Sequence, residues 1–248
     1  MKWQCVYDGR RREFLAGCLA SWGAATVLSA LPEGVHAAGK SEKIGVIGSG
    51  NVGSNLGRVW AQAGHQVMFS SRNLDTDKKL AADVGANARA GTPQEAAAFG
   101  DVILLAVPYS AMPELASSVG PSLKGKVVID ASNPFPQRDG DVAQQAIDKG
   151  AGLFTAQQFP GAHIVRGFNA VGAARMGSAH TDPGKLGMPI AGDDKHAIEI
   201  ASRLIKEIGF EPVLIGGLEK GNYLRPGGGP LAGEHTPAEI RKIAATLS

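Results

Sequence analysis

Two rhythms of apolar and polar residues alternate along this chain, and they change over in a fixed order. Short, nearly continuous apolar runs fall at 43–48, 66–70, 102–107, 127–130 and 164–168, with segments of helical periodicity between them. Runs of that length without alternation predict strands buried on both faces, and the intervening helices predict a parallel sheet covered on both sides. In the first helical segment Val52, Leu56, Val59, Trp60 and Ala63 share one face, and Gly64 is placed to end it in a left-handed turn. Thr92-Pro93-Gln94-Glu95 and Thr236-Pro237-Ala238-Glu239 each combine an N-cap threonine, a first-turn proline and a capping-box glutamate. Beyond about residue 175 a smaller α/β unit is expected. It has a strand at 188–191, a helix capped by Gly192-Asp193-Asp194 with Ile198, Ala201, Leu204, Ile205 and Ile208 on its apolar stripe, a stop at Gly209 and a strand at 210–215. The run Leu224-Arg225-Pro226-Gly227-Gly228-Gly229-Pro230-Leu231 fits no regular element and reads either as a mobile lid or as disorder.

The first strand-to-helix turn carries the chemistry. Gly48-Ser49-Gly50-Asn51-Val52-Gly53 supplies the spacing that lets a chain turn tightly, expose bare N–H groups and set a helix N-terminus against a pyrophosphate. Strand, glycines, amphipathic helix and second strand arrive in the order of a Rossmann-type doubly wound sheet. The end of the second strand then selects the nucleotide. NAD enzymes usually place a carboxylate there for the ribose 2′-hydroxyl, whereas this chain reads Ser70-Ser71-Arg72-Asn73. Hydroxyls and a guanidinium are ligands for a 2′-phosphate, so Ser71, Arg72 and Asn73 point to NADP(H); the plainer alternative is a solvated loop charge beside turn serines.

The first 37 residues read as an address. Arg10-Arg11-Arg12-Glu13-Phe14-Leu15 precedes a modestly apolar stretch from Ala16 to Leu31, and Val35-His36-Ala37 offers the small residues of a cleavage site. This resembles a twin-arginine signal peptide, which predicts export of the folded protein by the twin-arginine machinery, cleavage near Ala37 and a periplasmic location. Both cysteines, Cys5 and Cys18, lie in this leader, so thiol catalysis, disulfides and cysteine metal sites are excluded from the remainder. The leader also holds four of the 25 basic residues and three of the 23 acidic ones, leaving a nearly neutral chain without the basic excess that nucleic acid demands. The expected organisation is therefore a leader at 1–37, an NADP-binding Rossmann domain at 38–175 and a small C-terminal α/β extension at 176–248.

From Lys43 to about Leu218 the chain resembles the NADPH-dependent reductases of the deazaflavin coenzyme F-420, and the NADPH domain of flavin-linked metalloreductases. The likeness rests on Gly48 to Gly53, Ser71-Arg72-Asn73, Ala106-Val107-Pro108-Tyr109, Asp130-Ala131-Ser132-Asn133-Pro134, Arg166-Gly167-Phe168-Asn169 and Ile190 to Asp194. Many relatives read Lys-Ala-Phe-Asn where this chain has Arg166-Gly167-Phe168-Asn169. The resemblance implies a nicotinamide across the carboxyl ends of the strands, packed beside Val107, Pro108 and Tyr109, bordered by Asn133, with Asn169 near a small-molecule electron acceptor. It implies a flavin or deazaflavin as that acceptor and leaves a homodimer open. Relatives place apolar residues at the C-terminus, whereas 222–235 here is mostly Gly, Pro and polar.

No acid–base constellation and no metal-binding set is evident. Direct hydride transfer between a nicotinamide and a flavin-like ring needs none, whereas carbonyl reduction wants a proton donor. His163 and His180 are the nearest histidines in sequence, and neither shows a carboxylate partner. Two functions remain: an exported NADPH-dependent oxidoreductase, or a non-catalytic module that carries the nucleotide outward.

Overall fold

The computed structural model describes residues 41–247, so the expected leader and its twin arginines lie outside the described residues. The first half alternates β1 (Lys43–Ile47), α1 (Asn51–Gln62), β2 (Gln66–Ser70), α2 (Leu74–Val84), β3 (Ala88–Ala90), α3 (Pro93–Phe99), β4 (Val102–Leu105), α4 (Met112–Leu123) and β5 (Val127–Asp130). Then come α5 (Pro136–Lys149), broken at Gly140, α6 (Ala151–Gln158), β6 (His163–Arg166), α7 (Ala173–Ser178), β7 (Gly187–Gly192), α8 (Lys195–Ile208), β8 (Glu211–Leu214) and α9 (Pro237–Ala244). The strands form a single sheet in the order β3-β2-β1-β4-β5-β6-β7-β8. Every pairing is parallel except β6 with β7. Between the parallel neighbours β1 and β4 the strand order turns back, with β2 and β3 to one side and β4 and β5 to the other, and this is the switch point at which such sheets bind ligands.

Alternate side chains of the central strands feed two separate cores. Ile44, Val46, Val102, Leu104 and Ile129 pack with Trp60 of α1 and Leu204, Ile205 and Ile208 of α8. Ile47, Ile103, Leu105 and Val128 face the opposite layer, against Ala96 of α3, Val119 of α4 and Phe154 of α6. Burial of both faces is why these strands read as unbroken apolar runs rather than as alternating ones.

The structure departs from the sequence reading in three places. The three-residue edge strand β3 was not expected, because Ala88-Arg89-Ala90 has no apolar run; it is held by its ladder to Val67 and Phe69. Strands β4 and β6 stop two residues short of the anticipated ends, where the chain leaves the sheet to line its carboxyl edge. The residues after 175 extend the same sheet, since β7 hydrogen-bonds to β6. Finally, the Gly/Pro-rich run is packed and pinned. Leu224 and Leu231 are wholly buried, Leu231 N–H donates to the Tyr223 carbonyl at 3.1 Å, and Gly233 N–H donates to the Ala170 carbonyl at 2.8 Å.

Candidate functional site

At the carboxyl end of β1 the three fingerprint glycines do three different jobs. Gly48 has φ +102°, and a Cβ there would sit 2.3 Å from the Ala106 carbonyl oxygen. Gly53 lets α1 lie directly on the turn: its Cβ would come within 2.0 Å of the Gly48 carbonyl oxygen. Gly50 is unlike either, because a Cβ there would meet no atom within 4 Å. It is also the N-cap of α1, and it supplies no side-chain cap, nor is there an acidic residue in the first turn. Helix α1 therefore presents bare N–H groups and the positive end of its dipole at the switch point. Those features fit a pyrophosphate. Exposed Asn51 and half-buried Val52 flank them on the same turn.

The end of β2 lies beside this turn, because the Ser70 carbonyl accepts from both Gly48 N–H and Ser49 N–H, at 2.9 and 3.1 Å. Ser70 is structural, its hydroxyl donating to the Val46 carbonyl at 2.7 Å. Arg72 is exposed, and no ion pair holds it among the described residues. Asn73 caps α2, its Oδ1 accepting from Thr76 N–H at 3.1 Å. Ser49 and Ser71 share one partner that sequence reading missed: wholly buried Asp77 accepts a hydrogen bond from each hydroxyl.

At the other end of the site, the carboxyl ends of β4, β5 and β6 are stitched together by a buried polar network. Val107 N–H donates to Ser132 Oγ at 3.1 Å, and Ser132 N–H to Asp130 Oδ1 at 2.9 Å. Asn133 Nδ2 donates to the Asn169 carbonyl at 3.0 Å. Asn169 Nδ2 donates to the Asp130 and Ser132 carbonyls at 3.1 and 3.0 Å. Phe168, directly before Asn169, has φ +66°, a left-handed conformation that a side chain with a Cβ adopts at a cost. Its ring packs edge-on to Trp60, whose indole N–H donates to the Leu204 carbonyl at 3.0 Å, and this packing holds the turn. Asn169 Oδ1 and Arg166 Nε are buried with no hydrogen-bond partner among the described residues.

Under this rim lies an ion pair. Arg166 Nη1 donates to Asp130 Oδ2 at 2.7 Å and to the Tyr109 hydroxyl at 2.9 Å, and both charged groups are fully buried. Thr155 Oγ1 completes the cluster with a 2.8 Å donation to Asp130. Burial pushes the Tyr109 phenol well above its ordinary range, although the Arg166 charge pulls the other way. Burial opposes the Arg166 charge too, but Tyr109 and Asp130 outweigh it and hold the guanidinium cationic. Val107 and Pro108 are half-buried at the rim, whereas Tyr109, expected beside a nicotinamide, lies wholly in the interior with its hydroxyl committed. In the sequence, Asp130 ends the apolar run 127–130 and Arg166 interrupts the run 164–168, and these two misplaced charges are the signal of the ion pair.

The two histidines are not part of the site. His163 begins β6 and so lies at the opposite, amino edge of the sheet. It does have a carboxylate partner, Asp194, at 3.3 Å, and the two line a cleft of about 460 Å³ with Glu42 and Arg203. His180 is exposed in a short turn at Ala179–Thr181. Among the described residues no cluster of His, Cys, Asp and Glu could hold a metal ion.

The chain is similar to known proteins over most of this architecture. A family model described as NADP oxidoreductase, coenzyme F420-dependent, matches residues 43–134. The F420-dependent NADP reductase of Methanothermobacter thermautotrophicus is 30% identical over 196 residues, covering 73% of this chain and 84% of the reductase. Metalloreductase STEAP3 of Rattus norvegicus is 28% identical over 182 residues, which are 72% of this chain and 35% of that one. Among solved structures, a hypothetical protein of Sinorhizobium meliloti aligns with a TM-score of 0.67 at 26% identity, covering 79% of this chain and 95% of its own.

Proposed function

This chain belongs to the coenzyme F420-dependent NADP oxidoreductase family, and from that premise we propose that it transfers a hydride between NADPH and a deazaflavin or flavin acceptor. The observation that carries the reading is the uncapped N-terminus of α1, set at the switch point beside the Ser71-Arg72 end of β2. Bound there, NADPH supplies a hydride at its nicotinamide ring. The protein's own work is then to bind, orient and exclude water. The α1 N–H groups hold the pyrophosphate, and Arg72 grips the 2′-phosphate. Val107, Pro108, Asn133 and Asn169 form the rim on which the nicotinamide rests.

A flavin-like acceptor is supported by the state of Tyr109. This tyrosine follows Val107 and Pro108 in the chain, but it is buried and bonded to Arg166 and Thr155, so it is not free to protonate a carbonyl. Hydride transfer to a flavin-like ring moves two electrons with the hydrogen and takes the remaining proton from solvent, and so needs no protein acid.

The test is anaerobic mixing. Protein loaded with one equivalent of NADPH should lose the reduced-nicotinamide absorbance when a deazaflavin, or failing that a flavin, is added. Retention of that absorbance with both acceptors would leave a nucleotide-carrying module. Export by the twin-arginine route is part of the same proposal, supported by Arg11-Arg12-Glu13-Phe14-Leu15 and by the absence of cysteine after Cys18. It lets the cofactor leave the cytoplasm already bound. Replacing Arg11 and Arg12 by Lys should strand the protein inside the cell, and normal export of that variant would end the export proposal.

A further inference from the structure

Asp77, in the first turn of α2, has a fully buried side chain, and no ion pair reaches it among the described residues. Its two oxygens are engaged by two hydroxyls: Ser49 Oγ donates to Oδ1, and Ser71 Oγ donates to Oδ2 at 2.8 Å. A serine hydroxyl has one proton and two lone pairs. Ser71 could instead donate to the Asn73 carbonyl, but that oxygen is 3.4 Å away, so the carboxylate takes the proton. One Ser71 lone pair also receives Asn73 N–H at 3.1 Å. What remains is one free lone pair on Ser71 and two on Ser49. Toward the place where the proposed NADP(H) site puts the adenosine ribose, both serines therefore offer lone pairs and not protons, with the buried Asp77 carboxylate bonded to both.

That accounting reverses the role read from residue type. A ribose 2′-hydroxyl can donate to such a surface, whereas a 2′-phosphate carries only acceptors and negative charge. We propose that Asp77 is a positioning residue for nucleotide choice: by holding the protons of Ser49 and Ser71 it favours a 2′-hydroxyl and opposes the preference of Arg72 for a 2′-phosphate. The chain accordingly binds NADH as well as NADPH. This rests on the NADP(H) site proposed above and specifies how its 2′ end discriminates.

The Asp77→Asn variant removes the charge, and its amide donates to one serine, whose own proton is then released toward the ligand. Titration of the mature protein with each nucleotide, followed by tryptophan fluorescence or calorimetry, should show the parent binding both. In Asp77→Asn, NADPH should bind about tenfold tighter, the worth of roughly one charge-assisted hydrogen bond, with no gain for NADH. Ser71→Ala, a change outside the core, should weaken NADH severalfold more than NADPH, and it decides the matter alone if Asp77→Asn fails to fold. An unchanged NADPH-to-NADH ratio in a folded Asp77→Asn protein would overturn the proposal, as would a Ser71→Ala loss that falls mainly on NADPH. Either result leaves the cofactor site standing. A parent that binds neither nucleotide overturns both.

Discussion

Arg72 and Tyr109 show how differently two polar side chains of one site behave. Arg72 is exposed and, among the described residues, held by no ion pair, so its contribution is available to a ligand. A charge-assisted bond from it to a 2′-phosphate is worth about 1.5–3 kcal/mol, or about ten- to a hundredfold in affinity. Arg72→Ala should weaken NADPH by that factor in an equilibrium titration and leave NADH nearly unchanged; equal losses would mean that Arg72 does not read the 2′ position. Tyr109 is committed to the interior, and burial raises its folded pKa above the ordinary value of about 10. The unfolded chain releases that proton near pH 10 while the folded chain keeps it, so the contribution is complete below about pH 10 and is lost as pH rises beyond it. Tyr109→Phe should therefore flatten the alkaline fall in stability, measured by denaturant unfolding at a series of pH values, even though it loses hydrogen bonds at neutral pH. A fall as steep as the parent's would contradict this. Arg72 was legible in the sequence because its position after β2 is diagnostic. Asp77 was not: in Leu74-Asp75-Thr76-Asp77-Lys78-Lys79 it reads as one more charge on a solvated helix face, and only the docking of α2 puts it beneath two serines from separate turns.

At the level of elements, the β1–α1 turn separates fold from function within six residues. Gly53 is needed for packing and Gly50 for access. Gly53→Val should lower the melting temperature sharply, because α1 must move off the Gly48 carbonyl. Gly50→Val should keep the circular dichroism and melting temperature of the parent and lose nucleotide binding. The reverse assignment of these two effects would show that the turn does not face a ligand. Strong local signals made most elements legible: β2 and β5 fall where their apolar runs do, and the capping boxes at Thr92 and Thr236 form as expected. Elements without such signals were missed. The edge strand β3 is set by pairing alone. The run 224–231, which composition marks as a mobile lid or disorder, is ordered by two leucines that find a core and by backbone bonds from Leu231 to Tyr223 and, just beyond the run, from Gly233 to Ala170.

Over the whole molecule, the residues after 175 are part of the sheet that positions the site. Strand β7 covers the far side of β6, and α8 supplies Leu204, Ile205 and Ile208 to the core that also holds Trp60 and Phe168. Leu204→Ala should therefore cost about 2–5 kcal/mol and shift one shared transition, seen together by circular dichroism and by loss of nucleotide binding. An early, separate melting of the C-terminal part would argue for an independent extension. The packing of Phe168, whose left-handed backbone sets Asn169 at the rim, is the link from that core to the chemistry. The central claim is direct hydride transfer across that rim, and isotope tracing tests it most directly. With NADPH deuterated at the transferring position and a deazaflavin acceptor, which takes the hydride at carbon, the deuterium should appear in the reduced acceptor. Deuterium in the solvent, or retained in the nucleotide while the acceptor stays oxidised, would contradict the account.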